Sequence, residues 1–136
     1  MTVSAIPQAI INRYKAGAFF TDALTSWENK TFTKPASTIA WAAIYHLPAT
    51  QTELTLATTN DNTGLVQIDL NYPKNAGSGA ILAKADAVLA SFQRTTILTH
   101  AGQKVQITTS DVSQGREVDG WYRVSLSVGY RAFVSI

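Results

Sequence analysis

The chain has no cysteine, two histidines and a single methionine among 136 residues. Without cysteine there is no disulfide, thiolate metal site or cysteine nucleophile. Charge is also sparse, at 15% against the roughly 25% usual in soluble domains. No apolar run approaches the ~18 residues of a membrane span. The first residues lack the basic-then-apolar order of a signal peptide, so cytoplasmic synthesis is the expectation. The 11 Lys and Arg against 9 Asp and Glu give a net charge of +2 without a basic run, whereas nucleic-acid binders usually concentrate positive charge on one face.

What is present is apolar pattern: 46% of residues are hydrophobic, enough at this length for one core and a single domain over residues 1–136. Ser4 is placed to cap a short N-terminal helix reaching about Lys15, with Ile6, Ile10 and Tyr14 on one face and Gly17 as its stop. Residues 19–36 carry Phe19, Phe20, Trp27 and Phe32 without a sustained period. They read as a long loop, or a hairpin extension turning at Glu28, Asn29 and Lys30, packed through its aromatics.

Residues 38–47 alternate as a strand ended by Pro48, residues 52–59 form a second, and residues 58–64 form a polar turn. In residues 65–72, Val66, Ile68, Leu70 and Tyr72 face one side, and Gln67, Asp69 and Asn71 face water. A helix is expected over residues 78–93, with a stripe of Ile81, Leu82, Ala85, Val88, Leu89 and Phe92. Its outer side bears Ala83, Lys84, Ala87, Ala90 and Ser91; a small-residue face can be covered by another protein as well as reflect helix propensity.

Ile97-Leu98 pairs with Val105, Ile107 and Thr109 across a turn at Ala101, Gly102 and Gln103, and residues 111–120 are a polar connection. The last strand, residues 121–133, turns Tyr122, Val124, Leu126, Val128 and Tyr130 inward and Trp121, Arg123, Ser125, Ser127 and Arg131 outward. The expected fold is α+β: a two-layer, mostly antiparallel sheet of four to six strands, one long amphipathic helix packed on it, and the short N-terminal helix.

Residue sets for chemistry are missing. His46 and His100 stand alone, the carboxylates fall in turns or on wet faces, and Gly77-Ser78-Gly79 lacks the Lys-Ser/Thr ending of a P-loop. No catalytic, metal or cofactor site is predicted. Asn29-Lys30-Thr31 is a glycosylation triplet without a secretory context. Tyr72, Tyr122 and Tyr130 lie on the apolar side, where packing outweighs base stacking.

In order and spacing, several features resemble the tail terminator (tail completion) proteins of long-tailed bacteriophages. They are Tyr72-Pro73 at a strand end, the Gly-rich turn, the helix ending Ala90-Ser91-Phe92, the Gly102 hairpin into Val105-Gln106-Ile107, and Asp119-Gly120-Trp121-Tyr122 leading to Val128-Gly129-Tyr130. The resemblance spans about residues 38–134 and the N-terminal helix. It implies a non-enzymatic virion protein at the head-proximal end of the tail, assembled in the host cytoplasm. It further implies a homo-oligomer, a hexameric ring, that caps the tail tube protein, stops polymerisation and meets the head-tail connector, with DNA passing through the lumen unread. No cofactor and no membrane enter this picture. A ring needs two different patches per subunit; the candidates are Phe19, Phe20, Trp27, Phe32, Ala83, Ala87, Arg123 and Arg131. The alternatives are a head-tail joining or neck subunit and, in another class, a small nucleic-acid-binding module using Arg116, Arg123 and Arg131.

Overall fold

The computed structural model describes the backbone of residues 4–55 and 59–135, and side chains for residues 4–48 and 60–134. The elements in chain order are α1 (Ala5–Ala16), a 3-10 turn (Asp22–Leu24), β1 (Thr25–Ser26), β2 (Trp41–Thr55), β3 (Thr59–Pro73), α2 (Gly79–Ser91), β4 (Ile97–His100), β5 (Gln103–Val112), β6 (Arg116–Val118) and β7 (Trp121–Ser135). The fold is α+β, as expected, but dominated by the sheet. Its strands run in the order β1-β2-β3-β7-β5-β4, with β6 paired to β7. The sheet is curled and mixed, because β1 joins β2 in parallel while the other pairings are antiparallel.

The two-residue period explains the main core. Even-numbered residues of three adjacent strands share a face: Ala42 and Ile44 of β2, Val66, Ile68 and Leu70 of β3, and Val124, Leu126 and Val128 of β7. Both helices close this face. α1 contributes Ile6, Ile10 and Tyr14, each 1% exposed, as its stripe predicts, and α2 contributes Ile81, Ala85, Val88 and Phe92. Fully burying such aliphatic and aromatic side chains stabilises by ~1.5–3 kcal/mol each.

Several expectations are corrected. α2 has 13 residues and a narrower stripe than predicted: Leu82 is 43% exposed and Leu89 only half-buried, because the i, i+4, i+7, i+11 row alone meets the sheet. Ser4 has helical backbone angles and does not make the capping side-chain bond. Gly17 is also right-handed, with φ −75°; the left-handed residue after α1 is Ala18.

Pro48 does not end β2. The His46 N–H donates to Glu28 Oε1, away from β3, so Pro48 two residues on directs its missing N–H to the same open side. A register shift follows between Pro48 and Thr50. The predicted turn at 58–64 is strand from Thr59: Asn60, Asp61, Asn62 and Thr63 pair with β2 and β7. Thr58, Leu56 and the Leu54 side chain lie outside what is described. Position 64 of this strand takes glycine because a Cβ there would stand 2.6 Å from the Tyr130 hydroxyl.

The 19–36 segment is not a hairpin, since β1 pairs with β2 rather than with its own return. It is a strap around the β2 edge. Phe19, Phe20 and Trp27 pack against the helix-side core, whereas Leu24 and Phe32 pack against Trp41, Ala43 and Trp121 on the opposite face. The polar connection at 111–120 contains β6, which hairpins into β7 through Asp119 (φ 50°) and Gly120 (φ 85°), a two-residue turn needing left-handed angles at both positions. The β4–β5 hairpin turns the same way at Ala101 and Gly102, close to the expected position.

Candidate functional site

Odd-numbered residues of β2, β3 and β7 build the face opposite the helices. Near the strap it holds a second apolar cluster in which Trp41 and Trp121 meet edge-on at 5.9 Å and 88°, with Phe32 5.0 Å from Trp41. Beside it runs a polar row. Asn71 and Asp69, expected to face water, are 0% and 4% exposed. Arg123 Nε donates to Asn71 Oδ1 at 2.7 Å, Gln67 Nε2 to Asp69 Oδ1 at 2.9 Å, and Arg116 Nη2 to Ser125 Oγ at 3.0 Å. Buried acceptors are thereby satisfied.

Arg123 and Arg131 share this face but do not converge. Arg131 binds the Asp61 carboxylate through Nε and Nη2 at 2.7–3.1 Å. With Arg116 on Ser125 and Arg123 on Asn71, the three arginines of the nucleic-acid reading are all engaged in bonds within the sheet. Beyond the strap the face is bare, with Tyr45, Leu47 and Phe133 41–50% exposed.

The histidines do not form a site. His100 Nδ1 lies 3.2 Å from Asn12 Nδ2 on α1, while His46 Nε2 lies 2.8 Å from the Tyr130 hydroxyl. Burial lowers the His46 pKa below its ordinary value against an opposing pull from Glu28, and burial raises that of Tyr130. A neutral imidazole can accept the tyrosine proton at Nε2, whereas a protonated one must donate there. Tyr14 is pushed up to about 12, chiefly by burial, with its hydroxyl 3.1 Å from Thr25 Oγ1. Among the described residues no group of three His, Asp or Glu could hold a metal. Among the described residues no helix is long and apolar enough to cross a membrane.

The other expected contact residues are dispersed. Ala83 and Ala87 are exposed on the outer side of α2, and Phe19, Phe20, Trp27 and Phe32 are half-buried within the strap. Between α2 and β5 lies a groove of about 700 Å³, lined by Asp86, Leu89, Ala90, Arg94, Ser110 and Asp111 among others. Sequence reasoning missed it, since it joins a helix flank to the end of a strand expected to give way to a polar connection at Asp111.

The arrangement offers surfaces rather than a reaction centre. Residues 5–130 match the family model of the phage tail terminator protein. The chain belongs to that family. A solved structure that bears no functional name is 25% identical to this tail terminator family member, with a TM-score of 0.76, covering 97% of this chain and 96% of the other. No curated protein matches the sequence. Family membership makes the chain a bacteriophage tail component. The resemblance recognised from residues 38–134 and the N-terminal helix is matched by the family model, which also takes in the strap.

Proposed function

We propose that the chain is the ring subunit that caps the tail tube, stops its polymerisation and presents the surface for head attachment, at the head-proximal end of the virion tail. The family match over residues 5–130 carries this reading. The subunit acts as one domain, without catalysis or cofactor, and assembles as a homo-oligomer, a hexameric ring, between the tail tube protein and the head-tail connector protein. A cyclic ring requires two unlike patches on each subunit. Arg123, Arg131 and the bare part of the odd-numbered sheet face provide one candidate surface, the α2 side with Ala83 and Ala87 a second, and the strap aromatics Phe19, Phe20, Trp27 and Phe32 a third. The low net charge of +2 suits a lumen that lets DNA pass without gripping it.

The test is addition of the purified protein to tail tubes, scored by electron microscopy and light scattering. Rings at one tube end, and overlong tails when the gene is lost, are the expected results. Normal-length tails beside unjoined filled heads would assign the protein to joining instead.

A further inference from the structure

The two long sides of the sheet are treated differently. From Ala42 to Pro48 the β2 side is closed: β1 covers Ala42 and Ala43, Glu28 binds the His46 N–H, and Pro48 has no N–H to offer. These are devices that keep a sheet edge from recruiting another strand.

The outer half of β5 has none of them. β4 pairs only with residues 103–106, and Ile107 is bonded to Thr95 and Thr96. Past the register shift between Ile107 and Thr109, the Ser113 N–H donates to Ser125 O at 2.8 Å, on the β7 side. Alternation then points the N–H and C=O groups of Ser110 and Val112 away from β7, toward the groove beside α2. A strand edge flanked by a helix is the geometry into which extended segments add by main-chain hydrogen bonding. Exposed Asp86 and Asp111 line it with one cation, Arg94.

The same chain carries a matching segment. Residues 30–35, Lys-Thr-Phe-Thr-Lys-Pro, belong to no helix or strand, and their backbone makes no hydrogen bond among the described residues. Thr31, Phe32 and Thr33 favour extended structure. Lys30 and Lys34 are exposed, and no carboxylate lies between them. This segment lies beside β2, separated from β5 by β3 and β7, so a subunit cannot readily fill its own groove.

We propose that the groove between α2 and β5 receives the strap of a second copy of this chain, residues 30–35 adding as a strand to the free edge of β5 with Lys30 and Lys34 facing Asp86 and Asp111. The contact is heterologous, groove to strap, and so propagates around a ring. The proposal rests on the ring reading above and identifies its subunit interface.

The absence of cysteine in the natural chain makes the test clean. Thr33→Cys and Val112→Cys variants are mixed, assembled on tail tubes and oxidised. The expected result is a disulfide-linked dimer from the mixture and none from either variant alone. In parallel, Asp86→Lys/Asp111→Lys and Lys30→Glu/Lys34→Glu each weaken assembly at least about tenfold while thermal unfolding stays cooperative, and combining all four substitutions in one chain restores it. Rings that form normally in both charge variants, with no mixed dimer, overturn the proposal and leave the ring reading standing. A photo-crosslinker at Val112→Cys that captures the tube subunit instead of residues 30–35 overturns the choice of occupant. Wild-type protein that never assembles on tubes removes the ring reading and this interface with it.

Discussion

The two faces of the sheet solve the same burial problem by different means. The helix face is apolar in every second residue and is sealed by side chains from two helices, so non-directional burial dominates there. The opposite face is sealed in part by a strap. It mixes an aromatic cluster of Trp41, Trp121 and Phe32 with buried Asn71 and Asp69, whose burial depends on specific hydrogen bonds. The first face tolerates approximate packing, whereas the second requires defined partners. The bare remainder of the second face, with Tyr45, Leu47 and Phe133, is surface that the subunit does not cover with its own chain.

The largest expected effect breaks the helix face. Val88→Asp places a carboxylate at a 0% exposed site under α2 and costs more than ~4 kcal/mol, so the cooperative thermal transition should vanish. On the strap face, Trp41→Ala should cost ~3–5 kcal/mol in urea unfolding. Trp41→Phe should cost much less than that, because the buried indole Nε1–H has no hydrogen-bond partner among the described residues to lose.

Arg123→Ala leaves the buried Asn71 Oδ1 without its donor and should cost ~1–3 kcal/mol. A double-mutant cycle with Asn71→Ala should return a coupling between the two positions, and strictly additive losses would show that the polar row is not a network. His46 adds a pH term. Its pKa is lowered in the folded state, so below about 6.5 the unfolded chain binds the proton that the folded one resists. Stability therefore falls as pH drops through that region and is level above it. Thermal melts between pH 5 and 8 should show this slope, diminished in His46→Gln. The smallest effect on stability is Ala87→Glu, within ~0.5 kcal/mol on the exposed side of α2. If that side is an interface, the folded variant nonetheless assembles poorly on tubes.

Much of the helix face was readable in advance because both periods are strong. Ile6, Ile10 and Tyr14 recur at helical spacing, and Val124, Leu126 and Val128 at strand spacing. Asp119-Gly120 is a two-residue hairpin signal, yet residues 111–120 read as a polar connection throughout, so β6 was missed. Pro48 misled because a proline breaks a central strand but is harmless on an edge, and edge position is not a local property. Asp69 and Asn71 misled for a similar reason: alternation assigns a face, while whether that face is wet depends on what crosses it. As for the surfaces, the strap aromatics and the α2 alanines stood out by composition, and the groove did not, since its two walls, ending at Arg94 and beginning at Thr108, come from different elements of the chain.

The sequence by itself determined which residues share a face, where α1 and α2 form, and the family to which the chain belongs, because periodicity and motif order act over a few residues at a time. Tertiary structure alone decided which sheet edge is closed, which polar residues are buried, and where an unpaired strand edge meets a helix flank. Those outcomes depend on which distant segments are neighbours, and only closure of the chain around its core sets that.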